Sequence, residues 1–160
     1  MRAAALLACL ALPAAAQEED AVNAQSRALL TCVIDAAVAG VPEETLRTET
    51  HFLCALAHAP VTVSCPREQY MLEPARALCE RRDLELWGTA LTRAYAVAGR
   101  ADELDARIAE IAAGCEGVAP APADPVGCVT NTVWRDWARV ATEGFLDRVA
   151  ADAAEREGDE

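Results

Sequence analysis

At 160 residues the chain is long enough for one domain and too short for two comfortable ones. It carries 26 acidic residues against 14 basic ones, every one of them arginine, for a formal charge of −12. A field of that sign repels nucleic acid and anionic membrane surfaces and draws in cationic partners, so nucleic-acid binding is not an expected role.

The first expected element is a cleaved secretory leader over residues 1–16. Arg2 supplies the positive start, residues 3–12 are unbroken apolar sequence, and Pro13 precedes the small-residue run Ala14-Ala15-Ala16, which places the cut before Gln17. The apolar run is too short to span a bilayer, which takes about 20 such residues. A rival reading is the lipobox Leu6-Leu7-Ala8-Cys9, which would leave a lipidated Cys9 but almost no apolar segment ahead of it. No later segment is apolar enough to cross a membrane, and a periplasmic or secreted location is expected. Removing the leader takes one arginine and no acid, leaving a mature charge of −13.

It also leaves six cysteines, Cys32, Cys54, Cys65, Cys79, Cys115 and Cys128. An even count in an exported chain is the signature of a disulfide framework, because thiols outside the reducing cytosol are oxidised. Six cysteines allow fifteen pairings. Loop geometry favours Cys115 with Cys128 across a proline loop and Cys54 with Cys65 across the bend at Pro60. Cys32 then falls to Cys79.

The mature pattern is helical nearly throughout, giving an all-α class: a small bundle of about five helices cross-linked by three disulfides over residues 17–154. Residues 21–39 carry Val22, Leu29, Leu30, Val33 and Ala36 near a helical period, and Gly40 is a C-terminal stop. Pro42, Glu43 and Glu44 suit a helix start. That second helix runs to His58 and should bury Leu46, Phe52, Leu53 and Leu56 before Pro60 ends it. Residues 61–64 alternate too briefly for a sheet. Another helix is expected from Cys65-Pro66, divided at Pro74. Residues 74–98 form the longest periodic stretch, with Leu84, Trp87, Leu91, Tyr95 and Ala98 as its core face.

Gly99 closes that stretch, and a short helix follows in which Leu104, Ile108 and Ile111 are spaced by four and three. Residues 116–127 hold three prolines and two glycines and read as a loop. The last helix, over residues 131–154, places Val133, Trp134, Trp137, Ala141, Phe145 and Val149 on one side. Residues 155–160 read as an acidic, frayed tail. Aromatics are few and alanine supplies much of the apolar count, so the cross-links are expected to matter for stability, at about 2–4 kcal/mol each.

One cluster suggests metal chemistry. His51, Cys54 and His58 fall at i, i+3 and i+7 on a single helix face, and imidazole and thiolate are ordinary zinc or copper ligands. A disulfide at Cys54 removes the thiolate, and the two histidines lie about 10 Å apart along the axis. The expected assignment is therefore no metal and no cofactor, with His51 and His58 as the weak alternative of a metal-handling or structural protein. Ser26 and Ser64 are the only serines, neither in a nucleophile-elbow context, and no enzyme is expected. Glu80, Asp83 and Glu85 alternate with Arg81 and Arg82 and read as a solvated face. Trp134 and Trp137 read as core.

The run from Cys79 through Asp83 to Trp87, then Leu91 and Tyr95, resembles a segment of the LprI-like lysozyme-inhibitor family, small exported bacterial helical proteins with Trp-Asp-x-x-Leu-Asn-x-x-Tyr on a helix. Gly88 stands where that family has Asp, and Thr92 where it has Asn. Cys115, Cys128, Thr132 and Arg135 are similar in order to its closing cysteines and Thr-x-x-Arg. The family's Gln-Arg-x-Trp and Arg-Asp pair ahead of the penultimate cysteine are missing, and the likeness covers about half the mature chain. It implies a non-enzymatic binding module acting on a basic protein such as lysozyme, with the 116–127 loop or an arginine as the plug.

Overall fold

A computed structural model describes residues 14–60, 64–65, 68–72, 74–116 and 125–158. Residues 1–13 of the expected leader, with the Cys9 alternative, lie outside them, as do residues 61–63, most of the 116–127 loop and the last two residues. The described chain is an all-α bundle of five helices without a strand among the described residues. Helix α1 spans Ala14–Val38. Helix α2 is composite: an α-turn at Glu43–Thr45, a π-helical turn at Leu46–Thr50 and an α-helix at His51–His58. Helices α3, α4 and α5 span Ala75–Val97, Leu104–Cys115 and Pro125–Gly158.

Glycine ends two of these helices as the sequence indicates. Gly40 and Gly99 take φ of +87° and +71°, a region other residues avoid. After α1, Val41 N–H bonds back to the Ala36 carbonyl at 3.1 Å; after α3, Arg100 N–H bonds to the Tyr95 carbonyl at 2.9 Å. These closures satisfy carbonyls that the helix ends would leave open. The second also fixes where the Arg100 side chain departs.

The core is one cluster drawn from all five helices: Val22, Leu29 and Val33 of α1, Leu46, Cys54 and Ala55 of α2, Leu86, Trp87, Leu91 and Tyr95 of α3, Ile111 of α4, and Val133, Trp134, Trp137 and Val140 of α5. Trp87 and Trp137 meet at 4.7 Å between centroids, joining α3 to α5. Trp134 donates its indole N–H to the Ala59 carbonyl at 2.8 Å, so its one polar atom is satisfied inside the core. A ring of this size buries about 150–250 Å², which stabilises by about 4–6 kcal/mol at roughly 25 cal/mol per Å².

Several expectations are corrected. Leu53 and Leu56 are 62% and 56% exposed rather than buried, and Phe52 is only half-buried. The π turn ahead of them inserts an extra residue into the helical register, so Cys54, Ala55 and Ala59 point inward instead. Among the described residues the stretch expected to be helical from Cys65-Pro66 holds a bend at Ser64 and Cys65 and one 3₁₀ turn at Gln69–Met71, and the next α-helix begins at Ala75. Val149, expected on the inner side of α5, is half exposed. Helix α5 continues through Glu155, Arg156 and Glu157 to Gly158, into the expected tail, because no breaker intervenes and these are good helix formers.

Two of the three cysteine pairings are also corrected. Cys32 bonds Cys54 and Cys65 bonds Cys79, each with 5.7 Å between Cα atoms; the third bridge joins Cys115 and Cys128 at 5.8 Å. The inward turn of α2 at Cys54 aims that sulfur at α1 instead of around the Pro60 bend, which leaves Cys65 to tie the connector to α3. The bridges close separations of 22, 14 and 13 residues. Loops of that size correspond to about 3 kcal/mol each in the chain-entropy account.

Candidate functional site

Helix α5 presents its indoles to the core at Trp134 and Trp137, and the residue between them that shares the inner side is a carboxylate. Asp136 is 3% exposed. A buried carboxylate is tolerated only when its lone pairs are filled. Tyr95 of α3 donates its hydroxyl to Asp136 Oδ2 at 3.0 Å. Arg139, one turn along α5, donates Nη2 to Oδ1 at 2.8 Å, and Arg107 of α4 reaches the same oxygen at 3.2 Å. Burial alone would push the Asp136 carboxyl up; the bonds from Arg139 and Arg107 outweigh it and hold the group below its ordinary range. Burial, then the adjacent Asp136 charge, pushes the Tyr95 hydroxyl up.

The network extends outward. Arg139 Nη1 bonds both oxygens of Glu143 at 2.9 Å. Arg100, set by the glycine turn at the end of α3, donates to Glu143 at 2.9 Å and to Glu103 at 2.7 Å. Arg107 holds Glu110 at 2.9 Å. Tyr95, Arg100, Glu103, Arg107, Glu110 and Arg139 line a cleft of about 520 Å³ between α3, α4 and α5. Each of the three guanidiniums already holds carboxylates, so this cleft is an ionic cross-brace with its positive charge internally neutralised. At neutral pH its carboxylate stays ionised and its phenol stays protonated, which leaves neither poised for proton transfer.

A second depression, of about 460 Å³, opens beside the π turn and is lined by Thr48, Glu49, His51, Phe52, Leu53 and Arg135. Arg47, inside the π turn, anchors it by bridging Glu43 and Asp147 at 2.7 and 2.8 Å. The Arg135 guanidinium lies 4.8 Å over the Phe52 ring, and that ring meets Trp134 edge-on at 6.1 Å. His51 is 8% exposed, and its Nδ1 makes no hydrogen bond of good geometry. Burial lowers the His51 pKa, and the nearby Arg47 carbonyl only partly offsets it. The imidazole is therefore neutral at pH 7.

The structure does not bring His51, Cys54 and His58 together. Cys54 is committed to Cys32, His51 is buried and His58 is exposed. Among the described residues no group of three or more His, Cys, Asp or Glu side chains is arranged to hold a metal ion. The supposed solvated face near Cys79 is corrected at Asp83. That residue is 1% exposed and accepts bonds from the Ser64 N–H at 2.8 Å and hydroxyl at 2.7 Å, tethering the connector to α3. Arg135 lies on the second depression, whereas Thr132 bonds the Cys128 carbonyl at 2.9 Å.

The Asp136 network was missed in the sequence. Its signal is the spacing of Asp136, Arg139 and Glu143 at i, i+3 and i+7, a charged stripe that shares a helix with two core tryptophans. Comparison with protein-family models, curated proteins and solved structures gives no match. No helix among the described residues is long and apolar enough to cross a membrane.

Proposed function

We propose that the chain is an exported, non-enzymatic binding module that engages a basic protein, with lysozyme as the first partner to test. The observation that carries the reading is how the charge is distributed. Arginines 47, 100, 107 and 139 are engaged in pairs within the bundle. On α4 and its flanks Asp102, Asp105 and Glu116 are exposed, beside Glu103 and Glu110, which are exposed but paired with Arg100 and Arg107. The net negative field therefore faces solvent. Such a field steers a cationic partner and speeds encounter, by an amount that falls as salt rises.

Two further features support it. Three disulfides suit an oxidising compartment and a rigid partner surface. The Cys115–Cys128 bridge ties the end of α4 to the first turn of α5, bracketing residues 117–124. The test is a turbidity assay of lysozyme on bacterial cell walls with the oxidised protein added. Inhibition that weakens between low and physiological salt is expected; unimpaired lysis at a large molar excess of the protein ends the lysozyme assignment.

A further inference from the structure

The depression at the π turn combines both signs of charge with apolar surface. Arg135 is exposed at its edge, and its guanidinium rests on the Phe52 ring. A guanidinium stacked on an aromatic face is held in orientation with its donors open, and its planar fork matches a carboxylate. Glu49 on the same lining supplies the opposite charge, and Leu53 with Phe52 supplies apolar surface. His51 adds a nine-tenths-buried imidazole that lies beside the Arg47 carbonyl. The lining includes part of a π-helical turn, a local distortion that recurs at functional sites.

We propose that this depression binds a free amino acid with an apolar side chain. The ligand carboxylate pairs with Arg135, its ammonium with Glu49, and its side chain lies on Phe52 and Leu53. One residue of each charge on the lining favours a zwitterion over a simple anion or cation. The depression is open to solvent and encloses about 460 Å³, room for a small ligand held at the surface. The site is separate from the outer side of α4, so it stands or falls apart from any action on lysozyme.

The test is an NMR titration of the oxidised, isotope-labelled protein with L-leucine, read at the Leu53 methyls and the Phe52 and His51 rings. L-leucinamide and N-acetyl-L-leucine serve as probes that each delete one charge. Saturable shifts with L-leucine are expected, with each deleted charge weakening binding about tenfold. R135Q should weaken L-leucine about tenfold and leave N-terminally charged L-leucinamide unchanged. E49Q should weaken L-leucine and L-leucinamide but not N-acetyl-L-leucine. Absence of saturable shifts at these residues, equal binding of all three probes, or full binding to R135Q with an unchanged circular dichroism spectrum overturns the proposal.

Discussion

Replacing Asp136 with asparagine tests whether the buried network stabilises the bundle or is merely accommodated. Asparagine keeps the shape and one acceptor but turns the other oxygen into a donor. If its carbonyl faces Arg139 and Arg107, its amide meets the Tyr95 hydroxyl, which must then find another acceptor; the reverse orientation opposes amide to guanidinium. Breaking a buried ionic set by removing one partner costs about 3–5 kcal/mol. The arginines are each about one-third exposed, at 31% for Arg139 and 35% for Arg107, and solvent screens part of that. We expect a loss of about 2–3 kcal/mol by urea unfolding and a fall in Tm of about 5–10 °C. The acid limb supplies a second readout. Because the folded Asp136 pKa lies below the ordinary carboxylate value, its contribution is complete above the unfolded pKa and is lost as pH falls through the folded one. D136N should lack that part of the acid dependence. A loss below about 0.5 kcal/mol, well under the net value of a single charged hydrogen bond, would refute the reasoning.

Two further outcomes follow from the same structure. Gly88 lies in the middle of α3 with no atom within 4 Å of a built Cβ, whereas a Cβ on Gly144 would meet the Ala98 Cβ at 3.1 Å. G88A should therefore stabilise by about 0.5–1 kcal/mol and G144A should give no such gain, in paired urea melts. Burial holds the His51 pKa below the ordinary 6.5, so the unfolded state takes up a proton first as pH falls from about that value. Stability should drop through that window and level off below the folded pKa. H51F should flatten the drop, and NMR titration should show His51 protonating at lower pH than the ordinary histidine value.

How much of this was legible depends on whether the cause was local. Gly40 and Gly99 end helices for a backbone reason that acts within a few residues, and both were readable. The Trp87–Leu91–Tyr95 stripe was readable because 3.6-residue periodicity is itself a one-dimensional signal. The inward face of α2 was not. One π turn shifts the register, and nothing in Leu46–Thr50 advertises it in composition. That same shift reassigned the disulfides, since the partner of Cys54 depends on which way the helix faces. Asp83 and Asp136 were illegible for a different reason: a carboxylate in a charged run is ordinarily solvated, and only the approach of Ser64 or of Tyr95 and Arg107 from distant sequence makes burial tolerable.

The bundle's charge economy ties fold to proposed activity. Beside the tryptophan-centred core, ion pairs also join α3, α4 and α5, and those pairs place arginines between helices. With no lysine and only 14 arginines in the chain, cations used for cross-bracing are no longer available to neutralise the exterior. Exposed carboxylates such as Asp102, Asp105, Asp152, Glu155 and Glu157 remain outside, on and beside α4 and at the end of α5. Arg135 is used differently from these bracing arginines: its guanidinium lies over the Phe52 ring.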